Sequence, residues 1–456
     1  PPPQERVDLS IKILCCLCVM FNRSYVRKAG VKNICVNMRF ICDSSVVKKM
    51  TLRCSLPTRK SIFRLFSFKP CLVPLLTLLG LLLNPVGSIF AQEVKQWQVY
   101  DGYQPEGYGR HIVFVSGDEE YRSEEALPML AKIMAVRHGF KCTVLFAQDP
   151  ENPGIVNPQV LNHIPGLEAL RTADLIVIAT RFRALPDHQM EEIDAYLRSG
   201  RPVVGLRTAN HGFRFKDPDS KWQHYNWRYN GEKKEWVEGF GGLVLGSWFF
   251  SHHGWHREES TRGVVETGAE RHKILRGIES NSVWGPTDVY GVKEPIPGPD
   301  VEILFRGQVL KGMNPKDPPI GKGPYEKAPD YVINGSNDKN DPMQPLAWTK
   351  SYQLPGGRKG RAFCTTMGSS TDLEAEGTRR LVVNAMFWGL GMEIPGESNV
   401  AFVDPFKPTE YRTHNREYWE ERGLKVSDFD LKAELYEPGG EPHGEPSAPY
   451  HDVTKG

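Results

Sequence analysis

Apolar and polar positions along this chain change period in a repeating order. Residues 111–115 (HIVFV) are a continuous apolar run, and beyond 123 the apolar residues Leu127, Leu130, Ile133 and Met134 recur at helical spacing as far as His138-Gly139. A short apolar run bounded by turn residues reads as a buried strand, whereas apolar residues three or four apart read as one helix face. Residues 140–146 predict a second strand, a helical piece closes at 167–171, and residues 174–180 (DLIVIAT) predict a third strand. Pro186 opens a helix in which Met190, Ile193 and Leu197 share a face, since proline suits the first helical turn. Gly200 ends that helix and residues 202–206 (PVVGL) predict a fourth strand. Ser123 is expected to cap the first helix, with Glu124 and Glu125 in its opening turn, where the helix dipole favours acids. Strands and helices alternating in this way predict βαβ units, and hence an α/β fold with a doubly wound parallel sheet and helices on both faces.

After His211 the regularity breaks. Residues 213–240, rich in Lys, Trp, Tyr and Asn, form a long insertion at the carboxyl edge of the sheet, where long loops usually carry function. Its rings, Trp222, Tyr225, Trp227, Tyr229 and Trp236, suit either stacking on sugars or packing of the loop itself. Strand-like pieces follow at 263–266, 288–292 and 301–305. Residues 346–354 and 360–366 read as a hairpin, and a closing helix spans about 372 to 390. Residues 393–456 have little periodicity and read as an extended, partly disordered tail.

Charge and cysteine separate the N-terminus from the rest. Residues 1–91 hold 14 of the 57 Lys/Arg but only 3 of the 55 Asp/Glu, and seven of the nine cysteines. The remaining chain is net acidic, which argues against nucleic-acid binding, a function that normally needs a basic face. Residues 1–49 have no clear period and are treated as an extension. Residues 50–91 read as a signal peptide: basic residues from Arg53 to Lys69, an apolar run over 71–83, and small Ala91. That predicts export to the periplasm or beyond. The alternative is an uncleaved membrane anchor over 71–91, a run interrupted by Pro74, Asn84, Pro85 and Gly87. Residues 92–109 form a leader loop, and the folded domain is expected over 110–392.

Three predicted strands release polar residues at one edge, where open parallel sheets bind ligands. The first gives Asp118, Glu119, Glu120, Tyr121 and Arg122, the third Arg181 and Arg183, and the fourth Arg207, Asn210 and His211. Carboxylates, guanidiniums and an imidazole together suit a polyhydroxylated or anionic substrate and proton transfer near neutral pH. His252, His253 and His256 form the densest histidine cluster. With a carboxylate such as Glu258 it offers a metal set, although no HExxH helix is present. Hydrolases of this architecture place a nucleophile at a G-x-nucleophile-x-G elbow; here the equivalent stretch, residues 205–209, puts Arg207 in that place. Cys142 and Cys364 lie in predicted strands, away from any elbow. The chain also lacks a GxGxxG turn and a phosphate-loop spacing, so no dinucleotide or phosphate cofactor is expected.

Several segments occur together in a known order: VSGDEEYRSEEALP at 115–128, VVGLRTANHGF at 203–213, FSHH at 250–253, HKILRG at 272–277, GRAFCTTMGSSTD at 360–372 and FWG at 387–389. In these residues, over about 111–392, the chain resembles the ThuA-like (trehalose-utilisation) family, and its exported planctomycete-type members especially. The resemblance implies the flavodoxin-like, class I glutamine-amidotransferase-like fold. It also implies a role in carbohydrate catabolism, on oxidised (keto) sugars made by a partner sugar dehydrogenase. Many such proteins carry His directly after Gly-Leu at the fourth strand; this chain has Arg207 there and His211 four residues later. The Phe-x-x-His element assigns His253, with His252 its neighbour. The expected enzyme therefore acts on a sugar-derived small molecule by acid/base chemistry through His211 and His253, assisted by Glu120. Arg207, Arg181, Asn210, Tyr121 and His252 would contact substrate, and no cofactor is expected. The alternatives are a non-catalytic carbohydrate-binding protein, or a metal-dependent hydrolase built on His252, His256 and Glu258.

Overall fold

The computed structural model describes residues 94–102 and 104–432, so the expected N-terminal extension, the signal segment and the end of the tail lie outside the described residues. The chain enters on β1 (Trp97–Tyr100) and continues through β2 (His111–Gly117), α1 (Ser123–His138), β3 (Lys141–Phe146), β4 (Leu175–Thr180), α2 (Asp187–Arg198) and β5 (Val203–Leu206). Strands β2 to β5 pair in parallel, as the alternation of strand and helix predicts. Such strands are covered on both faces, which is why they read as unbroken apolar runs. Ile112 and Phe114 of β2 face the core formed with α1, while Val113 and Val115 face the core formed with α2.

The second half of the sheet departs from the parallel expectation. After β6 (Thr261–Val265) and β7 (Trp284–Gly285), β8 (Glu302–Val309), β9 (Gln344–Tyr352) and β10 (Gly360–Thr365) complete a ten-stranded sheet. Its order is β1-β3-β2-β4-β5-β10-β9-β8-β6-β7. β10 lies parallel to β5, with Cys364 opposite Gly205, and closes the expected hairpin with β9; the strands beyond it are antiparallel. Only the β9–β10 return, residues 353–359, is short and so dictates antiparallel pairing; the longer connections between β6 and β9, which lie among the described residues, carry no α-helix of the kind that makes a parallel crossover. α3 (Glu376–Gly389) follows a separate 3-10 turn, Ser370–Glu374, so the expected closing helix is two pieces.

Two further local expectations are corrected. The cap of α1 is Arg122, in the left-handed region at φ 61°, while the Ser123 hydroxyl turns back to Ser116 Oγ (2.8 Å) and accepts from the Asp118 amide (3.1 Å). The Asp118 carboxylate forces this by accepting the amides of Glu120 and Tyr121 at 2.8 and 3.1 Å. Residues 288–292 make a single bridge, His252 to Tyr290, rather than a strand. In the insertion, Trp222, Tyr225 and Trp236 are buried against one another, with Tyr225 and Trp236 ring centroids 4.6 Å apart; these rings are the loop's own core. The C-terminal segment, residues 393–432, runs over α1 and carries α4 (Arg416–Arg422). No helix among the described residues is long and apolar enough to cross a membrane.

Candidate active site

At the carboxyl end of β5 the backbone turns sharply into a 3-10 turn, Arg207–His211, and Arg207 adopts φ 38°. A non-glycine residue held there is strained, and such strain concentrates at functional sites. Gly205 permits the close packing behind it, since a Cβ at that position would meet Leu245 at 2.8 Å. The elbow is thus retained, with a guanidinium in place of a nucleophile. The Arg207 guanidinium lies between the rings of Tyr121 (4.1 Å) and Tyr290 (4.3 Å), a cation–π sandwich. It donates to the carbonyls of Thr366 (2.7 Å) and Asp288 (3.1 Å) and faces Asp288 Oδ1 at 3.4 Å. Burial works against its charge, yet Tyr121, Tyr290, Asp288 and Asp372 outweigh this and hold it protonated.

Asp288 is the hub of the site. Its fully buried carboxylate accepts from His252 Nδ1 through Oδ2 (2.7 Å) and from His256 Nδ1 through Oδ1 (2.8 Å). Burial opposes its ionisation, but the two imidazole hydrogen bonds and the Arg207 charge prevail and keep it well below the usual carboxylate range. An ionised carboxylate only accepts, so both imidazoles are fixed with Nδ1–H inward and Nε2 outward. Their ring centroids are 4.5 Å apart, and their side chains remain 34% and 28% exposed, open to a ligand. Glu120 Oε1 stands 3.6 Å from His256 Nε2. Arg181 bridges the acids of the first strand end, ion-paired to Glu119 and 3.3 Å from Glu120 Oε2. Burial opposes the Arg181 charge, and Glu119 and Glu120 more than restore it. Arg183 is buried beneath, on Glu119 at 2.6 Å and the carbonyls of Pro158 and Val160.

The expected site residues therefore divide. Glu120, Tyr121, Arg181, Arg207 and His252 gather at one place with His256. Asn210 and His211 form its wall: His211 Nδ1 meets Asn210 Oδ1 at 2.7 Å, and the ring packs between Phe182 (5.0 Å) and Phe249 (4.9 Å). Burial, then the charges of Arg181 and Arg207, push the His211 pKa well below its ordinary value. His253 faces away from its neighbour. Its Nε2 donates to the Lys339 carbonyl at 2.9 Å and its Nδ1 meets the Tyr331 hydroxyl at 3.4 Å; burial and then Lys339 lower its pKa to about 4. Glu258 is out on the surface with Lys327 at 3.1 Å, so the residues that could share a cation are His252, His256 and Asp288, each offering an atom within 4.8 Å of the others. In the geometry described, those atoms are already joined by hydrogen bonds and Arg207 stands beside the carboxylate. Cys142 and Cys364 are buried, and burial raises both thiols.

Two participants escape a reading of the sequence: Asp288 and Tyr290. Asp288 sits at the start of an apolar stretch (DVYGV) that scans as a strand, and a carboxylate heading such a stretch is the one signal that it is held for a purpose. A cleft of about 770 Å³ opens beside the site and shares Glu119 and Phe182 with it; Arg214, Asp217 and Lys221 line its outer part.

Among solved structures, a ThuA-like protein of Parabacteroides merdae is 14% identical, covering 68% of this chain and 98% of its own, with a TM-score of 0.38. A ThuA-like protein of Bacteroides uniformis is 16% identical, covering 65% and 97%, with a TM-score of 0.38. No curated protein matches the chain. The family model described as trehalose utilisation matches residues 111–389, from the first residue of β2 to the last of α3, and by that match the chain belongs to the ThuA family.

Proposed function

We propose that this protein is an enzyme of carbohydrate catabolism that moves protons on an oxidised (keto) sugar or glycoside. The observation that carries the reading is the pair of partly exposed imidazoles, His252 and His256, tethered by Nδ1 to one buried carboxylate, Asp288. A base must be oriented and in the right tautomer before its pKa matters, and a buried Asp behind a His supplies both. The family's description, trehalose utilisation, supports a carbohydrate-related role. In a keto sugar the hydrogen on the carbon beside the carbonyl is the acidic one. His256 Nε2 removes it, and the electron pair moves onto the carbonyl oxygen as an enolate. The fixed charges of Arg181 and Arg207 favour that anion. His256, now an imidazolium, holds that proton and returns it, directly or through Glu120 at 3.6 Å from the same nitrogen, either to the neighbouring carbon in an isomerisation or to a departing oxygen in an elimination. The adjoining cleft would accept the rest of a glycoside. A sugar dehydrogenase is the class of enzyme that supplies such a ketone, and the signal-like segment at 50–91 would place the reaction outside the cytoplasm.

Solvent-deuterium exchange into 3-keto-glycosides, followed by proton NMR, tests this directly. The wild-type chain should wash deuterium into the position beside the ketone. His256→Gln and His252→Gln should slow this about 10²- to 10⁴-fold, the usual worth of general acid–base catalysis. His253→Gln, in a residue facing elsewhere, should exchange normally. Binding of the sugar by calorimetry with no exchange in any variant would favour the non-catalytic alternative. Exhaustive chelation is expected to leave exchange unchanged; loss of exchange restored by added Mn²⁺ or Zn²⁺ reassigns His252, His256 and Asp288 to a cation.

A further inference from the structure

We infer that the C-terminal segment, beyond the part of the chain matched by the family model, completes the site: Tyr411 is a positioning residue that holds the His256 imidazole. This rests on the catalytic reading of His256 given above. Four layers stack at the carboxyl edge. The Tyr290 ring covers one face of the Arg207 guanidinium, Tyr121 covers the other, and the Tyr411 ring stacks on the far side of Tyr121 with centroids 5.4 Å apart and planes 23° apart. The His256 ring meets both tyrosines edge-on, at 6.3 Å from Tyr121 and 5.5 Å from Tyr411. Asp288 fixes one nitrogen of His256, which leaves the ring free to swing about that bond; the two tyrosine faces remove that freedom. Tyr411 is 2% exposed, so the packing is complete.

The segment is held so as to deliver this ring. Arg122, next to Tyr121, donates from Nε to the carbonyl of Glu410 (3.2 Å) and from a terminal nitrogen to the carbonyl of Arg412, gripping the backbone on both sides of Tyr411. Glu125, in the first turn of α1, accepts from the Thr409 amide and hydroxyl, both at 2.8 Å. Glu410 pairs with Arg257, the residue after His256. Among the described residues, the Tyr411 hydroxyl donates only to the Pro286 carbonyl, at 3.2 Å. The aromatic face is therefore the working part of Tyr411, and the hydroxyl is dispensable.

The experiment compares the full chain with Tyr411→Phe and Tyr411→Leu, reading deuterium exchange on a 3-keto-glycoside and the NMR relaxation of the His256 ring, which reports how far it swings about its bond to Asp288. Tyr411→Leu should lower the maximal exchange rate about 10- to 100-fold at unchanged KM, the scale expected when a reacting group is misplaced by about an ångström, and should increase the motion of the His256 ring. Tyr411→Phe should restore the rate to within about twofold and the ring to its wild-type rigidity, which a merely structural loss would not predict. Tyr411→Met, which fills the volume without an aromatic face, carries the same comparison should Tyr411→Leu not fold. A wild-type rate and a His256 ring as rigid as in the wild type in the Leu or Met variant overturn the inference. If the ring loosens but no variant, nor the wild type, exchanges deuterium, the positioning role stands and the catalytic reading fails.

Discussion

At the scale of single residues the site depends on Asp288, because one buried carboxylate holds two imidazoles and faces a buried guanidinium. Replacing it by Asn keeps the shape but offers one acceptor where two Nδ1–H groups point. Asp288→Asn should lower turnover about 10²- to 10⁴-fold with little change in KM, since the imidazoles lose their tautomer and orientation. It should also cost about 3 kcal/mol of stability, measured by denaturant unfolding, because the buried Arg207 charge loses one of the two carboxylates that offset it and keeps only Asp372. Arg207→Lys should not recover the native state: an ammonium lacks the flat faces that Tyr121 and Tyr290 cover and the fork that reaches Thr366 and Asp288. Little of this was legible beforehand. Arg207 was, because an apolar strand ending in GLRTANHGF marks the carboxyl edge. The choice between His252 and His253 was not, since adjacent residues face opposite ways and nothing local says which faces the site.

At the scale of elements, legibility follows the distance over which a residue's partners lie. β2, β4 and β5 were readable because each is apolar on both faces and bounded by Gly, Pro or charge. β6 and β8 leave alternate residues part-exposed, so their runs are weaker, and their pairing was fixed by contacts that no local period encodes. The C-terminal segment was the least legible. It is mostly irregular and is fastened by side chains of α1: Lys132 to Asp404, Arg137 to the Phe402 carbonyl and Arg122 about Tyr411. Its anchor is Trp419 of α4, fully buried with Arg122 and Arg422 over its ring at 4.9 and 5.3 Å. Trp419→Ala should remove about 3–5 kcal/mol of local stability. Hydrogen exchange should show amides of 405–426 losing protection while β2 and β4 keep theirs; equal loss in both would mean that the segment and sheet open as one unit.

Over the whole molecule, buried titrating groups set the pH range in which the fold is stable, and they act in opposite directions. His253 has a pKa of about 4 in the folded chain, lowered by burial and then by Lys339, against an ordinary value of 6.5. Between those values the unfolded chain binds the extra proton, so stability falls as pH drops from 6.5 towards 4; for a group 1% exposed this amounts to about 3 kcal/mol. Glu124 behaves in reverse. Its fully buried carboxyl contacts Arg122 and Arg422 only at 3.7 and 3.8 Å, and neither oxygen accepts a hydrogen bond, so burial prevails over the two cations and raises its pKa to about 8. The folded chain then keeps a proton that the unfolded chain has released above 4.5, and stability falls as pH rises from 4.5 through about 8. The two arms separate in variants measured by chemical denaturation from pH 4 to 9. His253→Asn should flatten the acid arm relative to wild type by up to about 1.4 kcal/mol per pH unit, and Glu124→Gln should flatten the alkaline arm while leaving the acid arm alone. Glu124 is in the first turn of α1, beside the Arg122 grip on Tyr411, so loss of its proton also loads a charge under the C-terminal segment. A wild-type alkaline arm that matches that of Glu124→Gln would mean that Arg122 and Arg422 already hold Glu124 ionised.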